Sequence, residues 1–136
     1  MNVVIDTSVA VAWYITEQFS ESARMWHTQM LEGKVHALVP SLHYLEFANV
    51  LRSYVRRGEM EKSLAEDLFA LHLDAPIDVV EPPRGNLLAT ALAFNTTAYD
   101  ASFIALALAH DCPLITAERT TTPWVVKLGK RAVTIS

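Results

Sequence analysis

The sequence holds one cysteine, four glycines and only 19% charged residues among its 136 positions, and each shortage excludes something. The lone Cys112 cannot build a disulfide framework, which suits a reducing compartment and a cytoplasmic chain. The glycines stand apart at Gly33, Gly58, Gly85 and Gly129, so no glycine-rich loop is available to cradle a phosphate as in a P-loop or a dinucleotide fold. Lys and Arg number 11 against 15 Asp and Glu, a net charge of −4, so nucleic acid cannot be held by overall positive charge. Basic residues cluster instead, at Arg52, Arg56 and Arg57 and along an acid-free final stretch with Arg119, Lys127, Lys130 and Arg131. Mean hydropathy is +0.21, yet the longest apolar runs, Leu87 to Phe94 and Phe103 to Ala109, fall far short of the ~18 residues of a membrane span. No basic leader precedes Val3-Val4-Ile5, so neither a secretory signal nor a membrane anchor is expected.

Hydrophobic residues are abundant, at 51%. A chain of this length buries enough surface to fold as one domain over residues 1–136 without staples. Short apolar strands alternate with helical patterns. Strands are expected at Asn2 to Ile5, His36 to Val39, Pro76 to Val80, Cys112 to Thr116 and Ala132 to Ile135. Helices are expected after Asp6-Thr7-Ser8 through Trp13, over Phe19 to Leu31, from Pro40-Ser41 to about Arg57, and over Lys62 to Leu73, Leu87 to Phe94 and Tyr99 to His110. Strands separated by helices imply right-handed crossovers and an α/β fold: a three-layer α/β/α sandwich around a mostly parallel sheet.

In such a sheet, ligands bind outside the carboxyl ends of the strands. Asp6 follows the first strand, and Glu118 follows the Cys112 to Thr116 strand. Asp100 opens a helix, and Glu46 lies two turns into another. Each has a plainer reading. Asp6 can serve as an N-cap, and Asp100 complements a helix dipole. Glu46 belongs to a polar stripe with His43, Asn49 and Ser53, and Glu118 reads as a surface acid. Joint position tips the balance, because crowded carboxylates repel one another unless a cation sits between them. All-oxygen donors suit Mg²⁺ or Mn²⁺, not zinc, and the five histidines show no zinc-like spacing. His43 and Glu46, at i and i+3 in a single copy, are weak evidence for a metal pair, and His43 reads instead as structural or as support behind a ligand.

These residues resemble the PIN-domain family, and within it the VapC-type toxins of toxin–antitoxin pairs. The resemblance runs through Val3-Val4-Ile5-Asp6-Thr7-Ser8-Val9, then Pro40-Ser41-Leu42 with Glu46 and Asn49-Val50-Leu51. It continues through Tyr99-Asp100-Ala101 with Ala105-Leu106-Ala107, and ends at Leu114-Ile115-Thr116-Ala117-Glu118-Arg119, in the family order. It implies a Mg²⁺-dependent endoribonuclease, with Mn²⁺ as a substitute, that leaves 5′-phosphate and 3′-hydroxyl ends. Asp6, Glu46 and Asp100 match the family's acidic triad, and Glu118 stands where the fourth acid, usually Asp, is found. Thr116 and Ser8 match small hydroxyl positions behind the acids, while Thr120-Thr121-Thr122-Pro123-Trp124 departs from the basic helix common there.

The resemblance further implies an RNA substrate, a cognate antitoxin protein and a homodimer. Rim cations must then hold the flanking phosphates, and Arg119, Lys127, Lys130, Arg131 and Arg84 are the candidates. The apolar helix Leu87 to Phe94 reads as buried in the core or against another chain, and Trp13, Tyr14 and Phe19 as a second apolar concentration. A DNA-directed nuclease, a small phosphatase built on the same acids, and a catalytically weak binding module remain as alternatives.

Overall fold

The computed structural model describes residues 1–16 and 19–136. Its elements are β1 (Asn2–Ile5), α1 (Thr7–Tyr14), α2 (Ser20–Leu31), β2 (His36–Val39), α3 (Leu42–Arg56) and α4 (Lys62–Leu73). There follow β3 (Ile77–Val79), α5 (Leu87–Phe94), α6 (Ala98–Ala109), β4 (Leu114–Thr116), α7 (Pro123–Leu128) and β5 (Ala132–Thr134). The strands pair in the order β3-β2-β1-β4-β5, and every ladder is parallel. The chain winds outward from β1 to β2 and β3, then returns to β1's other edge with β4, so the topological switch lies between β1 and β4.

Register follows from burial on both faces. Val4 pairs with Leu38 on one side and Leu114 on the other. Those three residues point into one core layer with Phe103, Ile104 and Leu106 of α6 and Trp124 and Val125 of α7. Val3 and Ile5 alternate to the opposite face, where Ala37, Val39 and Ile115 meet Val9 and Trp13 of α1 and Ala23 of α2. Helices α3 and α4 join that layer through α1, where Val11, Phe47, Leu51 and Ala65 form a third cluster. The near-continuous apolar strands of the sequence are those of a parallel sheet covered on both sides. The three-layer α/β/α expectation is met.

Three local details differ from expectation. First, α7 has no counterpart among the expected helices, because a six-residue helix is too short to show a period. Pro123 starts it, where its missing N–H costs nothing, and burial of Trp124 and Val125 holds it. Second, β4 begins at Leu114 because Pro113 cannot donate to the ladder, though its carbonyl still accepts from Val4 N at 2.9 Å. Third, the core reading of the Leu87 to Phe94 helix fails. In α5 only Ala91 is buried, while Leu88 and Leu92 are 71% and 73% exposed. The second apolar concentration is ordinary core: Trp13 is buried, and Tyr14 and Phe19 pack against its cluster. Among the described residues no single helix is long and apolar enough to cross a membrane.

The position of α6 under β1 and β4 yields a packing test. Leu106 is fully buried, so Leu106→Ala is expected to cost about 2–5 kcal/mol in urea unfolding. Leu45→Ala, on an exposed helix face, should stay within about 0.5 kcal/mol. Equal costs for the two would contradict the core described above.

Candidate active site

Asp6 is the first residue beyond β1 and takes the N-cap position of α1, with φ −68° and ψ 146°. Its backbone does the capping work: N donates to Ile115 O at 2.9 Å, and O accepts from Val9 N at 3.0 Å. Its side chain makes no cap bond. The carboxylate instead accepts from Thr116 Oγ1 at 2.7 Å, at the end of β4 and 110 positions away in sequence. Thr116 is fully buried, and its oxygen in turn accepts from Glu118 N at 3.1 Å. The plain N-cap reading of Asp6 is therefore only half right: the position caps, but the carboxylate is held at the switch point.

The other acids are held alike. Glu46, little more than one turn into α3, accepts from Thr7 Oγ1 at 2.8 Å. Asp100, in the first turn of α6, accepts from Thr96 Oγ1 at 2.9 Å, while its N–H donates to the N-cap hydroxyl of Thr97 at 3.1 Å. Glu118 accepts from Thr122 Oγ1 at 3.2 Å. A threonine hydroxyl thus commits one oxygen of each acid. Thr7 and Thr96 are partners of the acids that the sequence analysis missed; Thr96, four positions before Asp100, offered a spacing signal, whereas Thr7 lies 39 positions from Glu46 and offered none. Ser8, expected behind the acids, accepts from Ala117 N at 3.4 Å and so ties the two loops together.

Electrostatics separates three of the acids from the fourth. Burial raises the Asp6 carboxyl from 3.8 to about 6, the Thr116 bond opposes this, and the charges of Asp100 and Glu46 add to it. Burial also raises Glu46, against its bond from Thr7 and with a further push from Asp100. Asp6, Glu46 and Asp100 therefore feel one another. Asp6 forms a wall shared by two concavities, one lined by Asp100, Phe103 and Trp124, the other by Ser8, Glu46 and Val50. Glu118 is exposed and turned to Thr122. Among the described residues, no three His, Cys, Asp or Glu side chains are already drawn together as a ligand cluster. The donor set still fits a hard cation: it is all oxygen, and its like charges are held close at an energetic cost a cation would relieve.

The rim cations need correction. Lys130 and Arg131 precede β5, so in an all-parallel sheet they lie at the edge opposite the acids, and Arg131 pairs with Asp111 at 2.8 Å. Lys127 donates to Ala93 O and sits 5.2 Å over the Phe94 ring. Arg119 adjoins Glu118 at the acidic edge and is exposed, and Arg84 is exposed on the 3₁₀ turn before α5. The polar stripe of α3 is also broken, because His43 is fully buried. Its ring meets Thr7 rather than solvent, so it is no partner of Glu46 in a metal pair.

The raised Asp6 predicts a pH dependence of known sign. Its folded value of about 6 exceeds 3.8, so the folded state binds the extra proton between them, and stability falls as pH rises from about 4 to 6. The gap corresponds to at most about 3 kcal/mol. In metal-free protein, Asp6→Asn is expected to raise unfolding stability at pH 7.5 by up to about 3 kcal/mol and to change little at pH 4, read from urea midpoints. A lower midpoint for the variant at pH 7.5 would refute this account of the site.

The comparisons follow the same geometry. A family model described as the PIN domain matches residues 3–120, which include all four acids. Ribonuclease VapC3 of Pyrobaculum aerophilum is 31% identical over 123 residues, covering 88% of this chain and 91% of that protein. Among solved structures, PAE2754 of Pyrobaculum aerophilum is similar with a TM-score of 0.73 and 21% identity, over 98% of this chain and 83% of that one. VapBC2 of Rickettsia felis, bound to a DNA fragment from its promoter, is similar with a TM-score of 0.64 and 12% identity over 100% of both chains. A toxin–antitoxin complex from Klebsiella pneumoniae gives 0.58 and 15%, over 97% and 96%. With the motif order, the switch-point acids and these matches in agreement, the chain belongs to the PIN-domain family, in its VapC branch.

Proposed function

We propose that this chain is a Mg²⁺-dependent endoribonuclease and the toxin of a toxin–antitoxin pair. The observation that carries the reading is the convergence of Asp6, Asp100 and Glu46 from three separate elements, where the charges of Asp100 and Glu46 add to the upward push that burial gives Asp6. The 31% identity to a protein named as a ribonuclease supports the choice of substrate.

Asp6, Asp100 and Glu46 would hold the ion, Glu118 reaching it through a water, and Mn²⁺ could substitute. When bound, the ion supplies charge neutralisation at the scissile phosphate and a lowered pKa for an attacking water. The chain's own residues do the rest. Thr116, Thr7 and Thr96 orient the carboxylates, and a carboxylate oxygen left uncommitted accepts the water's proton. Arg119, exposed beside the acidic edge, holds a flanking phosphate of the RNA. The apolar walls of Phe103 and Trp124 limit water around Asp6 and Asp100 and so strengthen these interactions.

Two partners belong to the proposal. A cognate antitoxin protein would restrain the nuclease in the cytoplasm, a reading supported by structural neighbours that are toxin–antitoxin complexes. A second copy of the chain would cover the exposed Leu88 and Leu92 of α5.

The test is cleavage of pooled cellular RNA and of DNA by the purified chain, with Mg²⁺, with EDTA, and by Asp100→Asn. Discrete RNA cuts that need metal and fall more than ~100-fold in the variant are expected; DNA cleavage alone would redirect the assignment. Thr116→Val removes a partner of a metal-holding acid, and should cost roughly 10–100-fold. No cutting of either polymer by folded, metal-supplied protein favours a binding module.

A further inference from the structure

We infer that His43, His72 and Tyr14 are positioning residues for Glu46, acting through one directed hydrogen-bond chain buried between α1, α3 and α4. The inference rests on the reading that Glu46 helps to hold the metal.

The chain is continuous. Tyr14 Oη lies 2.8 Å from His72 Nδ1, and His72 Nε2 lies 2.7 Å from His43 Nε2. His43 Nδ1 lies 2.9 Å from Thr7 Oγ1, and Thr7 Oγ1 lies 2.8 Å from Glu46 Oε1. Both histidines are fully buried, and Thr7 is 5% exposed. The chain runs against Phe47 of the third apolar cluster, where its buried polar atoms depend on one another for partners.

Proton counting gives the chain a direction. An ionised Glu46 can only accept, so the single proton of the Thr7 hydroxyl goes to it. Thr7 must then accept from His43, which fixes the proton of His43 on Nδ1 and leaves Nε2 bare. Two nitrogens 2.7 Å apart need one proton between them, so His72 carries its proton on Nε2 and donates. Its Nδ1 is left to accept from Tyr14. Burial lowers His43 to about 3 and His72 to about 4, consistent with two neutral rings. The rings are also clamped: Phe47 stacks on His72 at 4.3 Å, and Tyr44 meets His43 edge-on at 5.0 Å.

The consequence reaches the site. Thr7 can rotate its proton toward either neighbour, and an Nδ1–H on His43 removes the second choice. The hydroxyl is thereby dedicated to Glu46, one carboxylate oxygen is held, and the other is kept for the ion. A chain set the other way round would present Thr7 as an acceptor and repel the carboxylate.

Long-range ¹H–¹⁵N spectra of the whole labelled chain test the direction without any variant. His43 as the Nδ1–H tautomer and His72 as the Nε2–H tautomer are expected, and the opposite pair overturns the proposal. The link to Glu46 is read by Mn²⁺ calorimetry and by the Mn²⁺ dependence of RNA cleavage. His43→Leu should weaken Mn²⁺ by roughly 10–100-fold, as loss of support behind a ligand does, with kcat recovering at saturating metal. His43→Asn, whose amide N–H replaces Nδ1–H, should restore most of the affinity, which a purely structural role for the imidazole would not. Unchanged affinity in a folded His43→Leu chain, or an equal loss in both variants, overturns the proposal; if His43→Leu does not fold, the tautomers decide it. A wild-type chain that takes up no Mn²⁺ fails the metal-site reading instead, and the directed chain is then judged on the tautomers.

Discussion

The carboxylate of Asp6 occupies a place where negative charge is poorly tolerated, at the junction of β1 and β4, with Phe103, Leu114 and Trp124 on one side and Asp100 and Glu46 within electrostatic reach. Burial raises it to about 6, so the fold spends stability to keep an ionised group there at neutral pH. What makes this possible is the parallel register. Asp6 N pairs with Ile115 O, the ladder ends one residue later, and Thr116 Oγ1 is delivered to the carboxylate. A register slip of one residue would turn both strands' side chains to the wrong faces. The large apolar core on either side of the sheet is therefore also the device that sets a single 2.7 Å contact.

The choice of threonine behind each acid follows from the same electrostatics. A lysine or arginine would satisfy a carboxylate more strongly but would also neutralise the cluster and occupy the space of a cation. A hydroxyl orients an acid with one neutral hydrogen bond and leaves its charge in place. Thr7, Thr96, Thr116 and Thr122 come from four different segments, so the pattern belongs to the assembled site and to no single motif. At Glu46 the support is deeper than elsewhere, because Thr7 is itself held by buried histidines.

Much of the architecture was legible because parallel strands buried on both faces are simple to see. Val3-Val4-Ile5 and His36 to Val39 are short apolar runs, and Gly58 ends α3 with φ +73°, as a C-terminal glycine does. The misreadings have definite causes. The helix α7 is shorter than the window in which a period can be recognised. The α5 run is apolar all round, but an eight-residue helix lying against α6 covers only one narrow face. Lys130 and Arg131 were grouped with Arg119 by closeness in sequence, whereas α7 lies between them and returns the chain to the opposite edge of the sheet before β5. His43 was assigned to a polar stripe because helical spacing says which residues share a face, not whether a neighbouring helix covers it.

Residue types and their order were enough to place four acids after strands or near helix starts as candidate oxygen donors, because side-chain chemistry and strand–helix alternation are local properties. Which acids share a field, which threonine holds each, and which cations face them depended on contacts between residues as far apart as 110 positions. Those contacts are set by strand register and helix packing. The pairing of His43 with His72 belongs to the same class: two neutral histidines on separate helices carry no sequence signal, and only the seam between α3 and α4 decides that they meet.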